Sequence, residues 1–428
     1  MTRLNKLHAM AVGGVILAAG LITSGALAQQ AALVDKVMTP SGPVDGPLDV
    51  NAALQRFPLT ESTRTAKELL AGWTTPKKLV VIVDRPERTE WLQQAMPTGV
   101  HVAGVPNDMA AAKELSDADA YVMATGDCTP SNWVNSTTMK WVHSSSGGSD
   151  HCLRAAPILG TGKILFTNSQ KMKSDSLSEN AFGFIFALAR NMDIAVDNQR
   201  SGTLRSEHAT RPPKTLEGAT MLVVGLGGAG TEIARLAHEF GVNVIATRAT
   251  SREGPPYVRY VGLPHELPDM IGDADIVVIA APLTSDTRNL FDAAMFSKMR
   301  KGAMLVNFTR AEIVNAVDLA VALKNGTVGS AGLAWATSEP LPSSHPLWSA
   351  PNLILTPWQG TGGSAGARIN PGVAEKSDTP APVRSAAAGD NSALQRDNEL
   401  RWVLVRENMR RFASGEKMYS VFDVKRGY

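Results

Sequence analysis

Short apolar runs, each followed by a stretch with helical spacing, recur along the first part of the chain. The runs lie at residues 79–83, 120–124 and 140–143, and residues 178–190 follow as a long helical stretch with one apolar side. Strands that alternate with helices pair in parallel, and both faces of their sheet are covered. We therefore predict an α/β sheet here, followed by a long helix.

A second series with the same alternation occupies the middle of the chain. The polar segment 197–214, which ends in Pro212-Pro213-Lys214, is predicted to connect it to the first series. The alternation predicts a second parallel sheet. Its apolar runs lie at residues 221–224, 242–246, 276–280, 304–307, 330–333 and 353–355.

Three further segments lie outside both series. Residues 31–75 carry no strand signal and are predicted to be an N-terminal extension with some helix. Residues 362–394 are rich in Gly, Ala, Pro, Ser and Asp without an apolar period, which is typical of a flexible insertion. Residues 399–413 are predicted to form a closing amphipathic helix.

The first 28 residues have the pattern of a secretory signal peptide. Arg3 and Lys6 precede an apolar run at residues 9–22, and Ala26-Leu27-Ala28 is a small-x-small cleavage site. A membrane anchor is the weaker alternative, because several glycines dilute the apolar run. We therefore expect export, to the periplasm or out of the cell, and no membrane contact after cleavage.

Composition and charge exclude several classes of protein. Of the 428 residues, 44% are hydrophobic and 19% are charged, which is typical of a globular chain rather than a disordered one. The 42 basic and 40 acidic residues become 40 and 40 once Arg3 and Lys6 are removed. This balance gives no support for nucleic acid as a partner. Two cysteines are too few for a cysteine-based structural zinc site, and we expect no metal.

A glycine-rich turn follows the first strand of the second series. The residues are Gly225-Leu226-Gly227-Gly228-Ala229-Gly230, and a helical stretch follows that ends at Gly241. In such a turn the first glycine allows the tight bend, the second lets a pyrophosphate approach the backbone, and the third allows helix–strand contact. We predict that a dinucleotide binds at the start of this helix.

The end of the next predicted strand indicates which dinucleotide is preferred. An NAD site normally places Asp or Glu there, to bind the ribose 2′-hydroxyl. The sequence instead has Thr247-Arg248, with Ser251 and Arg252 following. Guanidinium groups and hydroxyls are suited to a 2′-phosphate, so NADP(H) is predicted over NAD(H). The alternative is that these arginines form a solvated loop surface.

Further motifs accompany the glycine turn. They are Asp273-Ala274-Asp275-Ile276-Val277, Pro282-Leu283-Thr284, Val306-Asn307-Phe308-Thr309-Arg310, Glu339-Pro340-Leu341-Pro342, His345-Pro346-Leu347-Trp348 and residues 352–357. With these motifs the chain, from about Lys78 to its end and interrupted by the predicted insertion, resembles the D-isomer-specific 2-hydroxyacid dehydrogenase family. The resemblance implies two doubly wound α/β domains, with a Rossmann nucleotide domain inserted in a flavodoxin-like substrate domain, and a homodimer.

These observations together predict the boundaries of the parts. They are a signal peptide at 1–28, an extension at 29–77, a substrate domain made of 78–196 and 395–428, a nucleotide-binding domain at 197–361 and an insertion at 362–394.

The resemblance also implies chemistry, namely hydride transfer between nicotinamide and C2 of a 2-oxo or 2-hydroxy acid. Arg310 matches the family arginine that binds the carboxylate and the carbonyl, and Glu339 matches the family glutamate. Gly147 and Gly148 match the loop whose backbone binds the substrate carboxylate. The predicted cofactor contacts are Gly225, Gly227, Gly228, Ala229, Gly230, Arg248, Ser251, Arg252, Pro282, Thr309 and Trp358.

The family's catalytic histidine is missing. Where the family has Thr-Pro-His, this sequence has Thr356-Pro357-Trp358, and an indole N–H does not exchange a proton near neutral pH. One hypothesis is that another histidine reaches the cleft, with His151 better placed than His143 or His345. The other is that chemistry is reduced or lost, and that the chain is an exported protein that binds a nucleotide or an organic acid.

The two cysteines follow neighbouring predicted strands. Loops at the same end of a parallel sheet lie near each other, so Cys128 and Cys152 can meet. In an oxidising compartment we expect a disulfide between them, and the alternative is two buried thiols.

Overall fold

The computed structural model describes residues 37–39, 42–44, 48–124, 128, 136–203, 211–334, 341–357, 392–424 and 426. The predicted signal peptide lies outside these residues, as does the predicted insertion up to residue 391. Within the described part of the chain, every helix is too short or too polar to cross a lipid bilayer.

Strands and α-helices alternate along the described residues. The strands are β1 (Val37–Thr39), β2 (Gly42–Val44), β3 (Glu61–Thr65), β4 (Lys78–Ile82), β5 (His101–Val105), β6 (Ala120–Met123), β7 (Trp141–Ser144), β8 (Leu165–Asn168), β9 (Thr220–Val224), β10 (Asn243–Thr247), β11 (Val258–Gly262), β12 (Ile276–Ile279), β13 (Ala303–Asn307), β14 (Val328–Leu333), β15 (Leu353–Leu355) and β16 (Lys417–Tyr419). The helices are α1 (Val50–Arg56), α2 (Ala66–Leu69), α3 (Glu87–Gln93), α4 (Asp108–Glu114), α5 (Asp150–Ala155), α6 (Ser174–Ala189), α7 (Met192–Arg200), α8 (Gly228–Glu239), α9 (Leu267–Met270), α10 (Ala293–Lys298), α11 (Ala316–Lys324) and α12 (Ser392–Ser414).

The two predicted parallel sheets are confirmed. One has five strands in the order β5-β4-β6-β7-β8, and the other has seven in the order β11-β10-β9-β12-β13-β14-β15. All their neighbouring strands pair in parallel. The first order is the flavodoxin-like one, and the second is the Rossmann order with one strand added. In such sheets ligands bind at the carboxyl ends of the strands, where the strand order reverses.

Each sheet is covered on both faces by apolar side chains. The inner strands β4, β6, β9 and β12 are almost entirely buried, as continuous apolar runs in a parallel sheet should be. Helix α6 runs from the five-stranded sheet to the seven-stranded one. Phe182 and Ile185 of α6 belong to the apolar core around β9 and α8.

A buried ion pair attaches helix α12 to the part of the chain that forms the five-stranded sheet. Arg88 is fully buried in α3, and its Nη1 donates to Glu399 Oε2 of α12 at 2.7 Å. Arg88 also donates to Asp84 Oδ2 at 3.0 Å. The guanidinium lies 4.6 Å from the ring centre of Trp402, also in α12. These contacts attach the C-terminal helix to the first sheet.

Several predicted elements differ from those observed. The prediction that residues 31–75 contain no strand was wrong, because β3 lies in this segment and pairs with β16 in an antiparallel ribbon. Its sequence, Glu-Ser-Thr-Arg-Thr, has no buried residue, so no apolar pattern marks it. Helix α12 begins at Ser392, so the predicted insertion does not extend to residue 394. Strands β5, β8 and β11 were not predicted, since glycine, polar or exposed residues interrupt their apolar pattern.

Candidate active site

The glycine turn joins β9 to α8 at the carboxyl end of the seven-stranded sheet. Gly225 has φ +103°, a conformation that side-chain-bearing residues rarely adopt, and a Cβ there would lie 2.9 Å from the backbone of Ala281. A Cβ at Gly230 would overlap the carbonyl oxygen of Gly225. Both glycines are therefore required by close backbone packing, as predicted for the bend and for the helix–strand contact.

Gly227 differs from its neighbours because it faces open space. It is the N-cap of α8, a helix of 12 residues, and no side chain caps its N-terminus. A Cβ at Gly227 would meet nothing within 4 Å. The first N–H groups of a helix carry a partial positive charge and bind phosphates readily. The described residues thus fit the diphosphate of a dinucleotide.

Lys171, which sequence analysis missed, packs against this turn from the other sheet. A Cβ at Gly228 would lie 2.7 Å from Lys171 Cγ and 2.6 Å from Ser174 Oγ. Lys171 Nζ donates to the Pro58 carbonyl at 2.8 Å and to Thr60 Oγ1 at 3.2 Å. Burial lowers the pKa of Lys171, and the nearby positive charge of Arg248 lowers it further.

The two predicted 2′-phosphate arginines are held differently. Arg252 donates to the Tyr260 hydroxyl at 2.9 Å and pairs with Glu266 at 2.8 Å. The backbone N–H of Leu263, with Tyr260 and Arg252, lowers the pKa of Glu266 to about 2. Arg248 is exposed and donates to the Glu253 carbonyl at 2.9 Å. The positive charge of Arg252 is therefore paired with the Glu266 carboxylate, whereas the bond that Arg248 donates goes to the uncharged carbonyl of Glu253.

Arg310 follows β13 in a turn that buried Asn307 holds in place. Asn307 Oδ1 accepts bonds from the Thr309 N–H at 3.0 Å and from Thr309 Oγ1 at 2.9 Å. Asn307 Nδ2 donates to the Arg310 carbonyl at 2.9 Å. Asn307 is 3% exposed, so its three bonds are shielded from water. This explains locally why an asparagine stands three residues before the arginine.

The Arg310 guanidinium reaches across to the loop after β7 in the other sheet. A Cβ at Gly148 would overlap Arg310 Nη2. Asp150 Oδ1 accepts from Arg310 Nε at 2.9 Å and lies 2.9 Å from Nη2. The structure thus brings predicted residues Arg310 and Gly148 together from strands of different sheets. It adds Asp150, for which the sequence offered no signal beyond its place next to the glycines.

Buried polar side chains hold the Gly147-Gly148 loop. Asn168 is 1% exposed, and its Nδ2 donates to Ser149 Oγ at 2.9 Å and to the Gly147 carbonyl at 3.4 Å. The Gly148 N–H donates to Ser146 Oγ at 3.3 Å. The loop is therefore preorganised at the carboxyl end of β7, directly beside Arg310.

The three histidines considered as proton donors occupy different environments. His345 accepts a bond from the Leu347 N–H at 3.2 Å and caps a short 3₁₀ helix. His151 lies on α5, with Nε2 3.4 Å from Cys152 Sγ. His143 is 1% exposed, and its Nδ1 lies 2.8 Å from Thr167 Oγ1. Burial prevents His143 from touching a ligand in this conformation.

Because His143 is buried, we expect the free energy of unfolding of the protein to fall in acid. Burial lowers its pKa from 6.5 to about 4, so the unfolded chain takes up the proton at a higher pH than the folded one. The free energy of unfolding should therefore fall as the pH drops from 6.5 to 4, by about 3 kcal/mol for this group. Urea unfolding at several pH values measures the effect. The fall over this window should be smaller in a His143→Gln variant, and an equal fall would contradict the prediction.

The two cysteines are bridged. Cys128 and Cys152 form a disulfide with Cα atoms 5.0 Å apart, so the expected pairing is present and neither is a free thiol. Cys152 is fully buried and Cys128 is 7% exposed.

For three other predicted cofactor contacts the structure gives the position and the exposure. Pro282 follows β12 and is exposed, and Ser251 and Ala229 are half-buried. Glu339 and Trp358 lie outside the described residues. Asn315 caps α11, because its side chain accepts from the Val317 and Asp318 N–H groups.

Comparison with known proteins identifies the family. The family "D-isomer specific 2-hydroxyacid dehydrogenase, NAD binding domain" matches residues 182–360. An uncharacterized protein of Corynebacterium melassecola is 30% identical over 221 residues, which are 51% of this chain and 71% of that protein. The chain belongs to the D-isomer-specific 2-hydroxyacid dehydrogenase family. Members of this family, and solved structures that resemble the chain, are NAD(P)-dependent oxidoreductases that act on hydroxy and oxo acids.

Two further relatives of this dehydrogenase family are similar to the chain. Glycerate dehydrogenase of Methylorubrum extorquens is 29% identical over 200 residues, 45% of this chain and 61% of the relative, so less than two thirds of that enzyme is matched. The NADPH-dependent glyoxylate/hydroxypyruvate reductase of Sinorhizobium meliloti, in complex with NADP and sulfate, shares the fold with a TM-score of 0.60. It is 22% identical, and the match covers 82% of this chain and all of that one. The family assignment therefore supports a nicotinamide cofactor at the glycine turn.

Proposed function

We propose that this protein is an NADP(H)-dependent oxidoreductase that acts on a 2-oxo or 2-hydroxy acid. The observation that carries the proposal is the contact between Arg310 and the Gly147-Gly148 loop. Arg310 follows a strand of the seven-stranded sheet, which also carries the glycine turn, and the loop follows a strand of the five-stranded sheet. A cation beside a glycine loop is suited to a small carboxylate. NADPH, when bound, supplies the hydride that reduces the carbonyl carbon.

Arg310 performs two tasks in this proposal. Its guanidinium binds the carboxylate of the oxo acid, and it stabilises the negative charge that develops on the carbonyl oxygen during reduction. Asn307 keeps it in place through the turn. Glu339 matches the supporting glutamate of the family. Because Trp358 replaces the proton-donating histidine, we expect a rate lower by about 10²–10⁴-fold than such a donor allows.

The preference for NADP(H) over NAD(H) rests on charge. Thr247-Arg248 offers no carboxylate at the end of β10, and Arg248 lies close enough to Lys171 to lower the pKa of its ammonium group. Two neighbouring cations repel each other, and a bound phosphate relieves that repulsion. NAD(H), which lacks the 2′-phosphate, gains less from these charges.

The activity is tested by steady-state reduction of glyoxylate, hydroxypyruvate and phenylpyruvate with NADPH. We expect slow but measurable NADPH oxidation with at least one of them. Rates equal to the blank with all three acids, together with tight NADPH binding, would favour the alternative of a non-catalytic protein that binds a nucleotide or an organic acid.

The cofactor preference is tested by comparing two arginines. Arg248→Ala should raise the Kd for NADPH by about 10–100-fold and leave that for NADH within about twofold, since a charge-assisted bond contributes about 1.5–3 kcal/mol. Arg252→Ala is the matched control, because Arg252 already pairs with Glu266. Fluorescence titration with both dinucleotides measures this. Equal Kd values of the wild type for NADPH and NADH would contradict the preference.

We also propose that the protein is exported and forms a homodimer. The disulfide between Cys128 and Cys152 supports an oxidising compartment. Native mass spectrometry of the purified protein measures its assembly and any dinucleotide that it carries. A monomeric mass would contradict the dimer, and recovery of the uncleaved chain from the cytoplasm would contradict export.

A further inference from the structure

The disulfide lies next to the ion pair that holds Arg310. Cys152 is the third residue of α5, and Asp150 is the first. The disulfide therefore ties the first turn of α5 to Cys128, 24 residues earlier in the chain. Asp150 in turn bonds Arg310, 160 residues later. A short path thus leads from the disulfide along two residues of the chain to Asp150, and from Asp150 through an ion pair to the proposed substrate-binding guanidinium.

Asp150 contacts only one edge of the guanidinium. Its Oδ1 lies 2.9 Å from both Nε and Nη2 of Arg310, whereas Nη1 donates to the Thr309 carbonyl at 3.3 Å. An arginine has two edges that can each bind a carboxylate. Asp150 occupies the Nε edge and so restrains the plane of the guanidinium. The position of Asp150 therefore affects the orientation in which Arg310 meets a ligand carboxylate.

Besides its contacts with Arg310 and Arg154, the Asp150 side chain has few bonds among the described residues, although Asn168 holds the preceding Ser149. The side chain is 9% exposed, and its Oδ2 is buried with no hydrogen-bond partner there, although Arg154 Nη1 lies 3.2 Å away. Helix α5 has only six residues, and the side chain of its N-cap Ser149 makes no capping bond. A helix this short is not stable by itself. The disulfide is therefore the covalent restraint on the turn that carries Asp150.

We propose that the Cys128–Cys152 disulfide is a positioning element of the oxo acid site, which acts through Asp150 to set the orientation of Arg310. This inference rests on the proposed function, because it assumes that Arg310 binds the carboxylate of the substrate. Neither cysteine touches the ligand, and Asp150 is a positioning residue rather than a catalytic one. Reduction of the disulfide loosens the first turn of α5 and weakens the binding of the acid, while the glycine turn is unaffected.

The test measures the binding of oxalate, a non-reacting dicarboxylate, to the NADPH-loaded protein by calorimetry. The variants are Asp150→Asn, the double variant Cys128→Ser with Cys152→Ser, and the triple variant. We expect the Kd for oxalate to rise about tenfold in the first two and no further in the triple variant, because both changes act on the same contact. The Kd for NADPH should stay within about twofold in all three.

Reduction of the unaltered protein provides a second arm. A phosphine reductant should raise the Kd for oxalate as the serine variant does, and it should have no effect on the serine variant itself. Arg300→Gln is the matched control, since it removes a charge that pairs with Asp275 and not with Asp150. Circular dichroism confirms that each protein is folded at the temperature of the titration.

A spectroscopic measurement needs no ligand. In ¹⁵N-labelled protein the Nε–H of Arg310 should give a resonance protected from solvent by its bond to Asp150. We expect this protection to be lost in Asp150→Asn and strongly reduced after reduction of the disulfide. Unchanged protection and unchanged oxalate binding in the reduced protein would overturn the positioning role. Failure of the wild type to bind oxalate or NADPH would instead contradict the proposed function, on which this inference depends.

Discussion

Replacing Arg310 with methionine should lower kcat/KM for glyoxylate by about 10²–10³-fold, whereas the Kd for NADPH stays within about twofold of the wild-type value. The guanidinium beside Gly148 is the group proposed to bind the carboxylate and to stabilise charge on the carbonyl oxygen. The glycine turn lies on another strand and keeps its shape. Steady-state kinetics with NADPH and fluorescence titration of the cofactor measure the two quantities.

The substitution also affects the partner of Arg310. Without the cation, Asp150 keeps a mostly buried carboxylate that has lost one of its two neighbouring cations, and this lowers stability. Arg310→Lys keeps a positive charge without the planar fork, so it should bind Asp150 but still lose most activity. Arg300→Met is the matched control, because Arg300 pairs with Asp275 at the other end of β13. A kcat/KM that is unchanged in folded Arg310→Met would remove this arginine from the site.

The second large effect is expected at Gly227. Gly227→Ala should raise the Kd for NADPH at least tenfold, or by about 1.4 kcal/mol in binding free energy. The added methyl group lies in the open space that the diphosphate needs and meets no protein atom within 4 Å. The free energy of unfolding should therefore change by less than about 1 kcal/mol, the cost expected at an N-cap. Titration with NADPH and urea unfolding measure both.

Gly230→Ala is the contrasting variant. Its Cβ would overlap the carbonyl oxygen of Gly225, so the turn must shift, and a loss of about 1–3 kcal/mol in stability is expected. The Gly227→Ala variant thus tests contact with the ligand, and the Gly230→Ala variant tests packing within the same turn. If Gly227→Ala binds NADPH as the wild type does, the diphosphate does not lie against this backbone.

The glycine turn and both sheets could be predicted because their signals are local. Continuous apolar runs mark β4, β6, β9 and β12, which are buried on both faces. The demand for Gly230 is local, since a Cβ there would overlap the Gly225 carbonyl oxygen, whereas Gly225 also packs against Ala281 after a neighbouring strand. Arg310 and the Gly147-Gly148 loop could be named only because the motifs around them resemble a family.

The contacts of the site itself could not be predicted, because they join residues that are distant in sequence. Asp150 meets Arg310 only when two sheets pack together, and Lys171 meets Gly228 in the same way. Strand β3 consists of polar residues, none of them buried, and it pairs with β16. Local periodicity records which side of an element is buried. It carries no information about which distant element lies opposite, since that depends on strand order and on how the two layers pack.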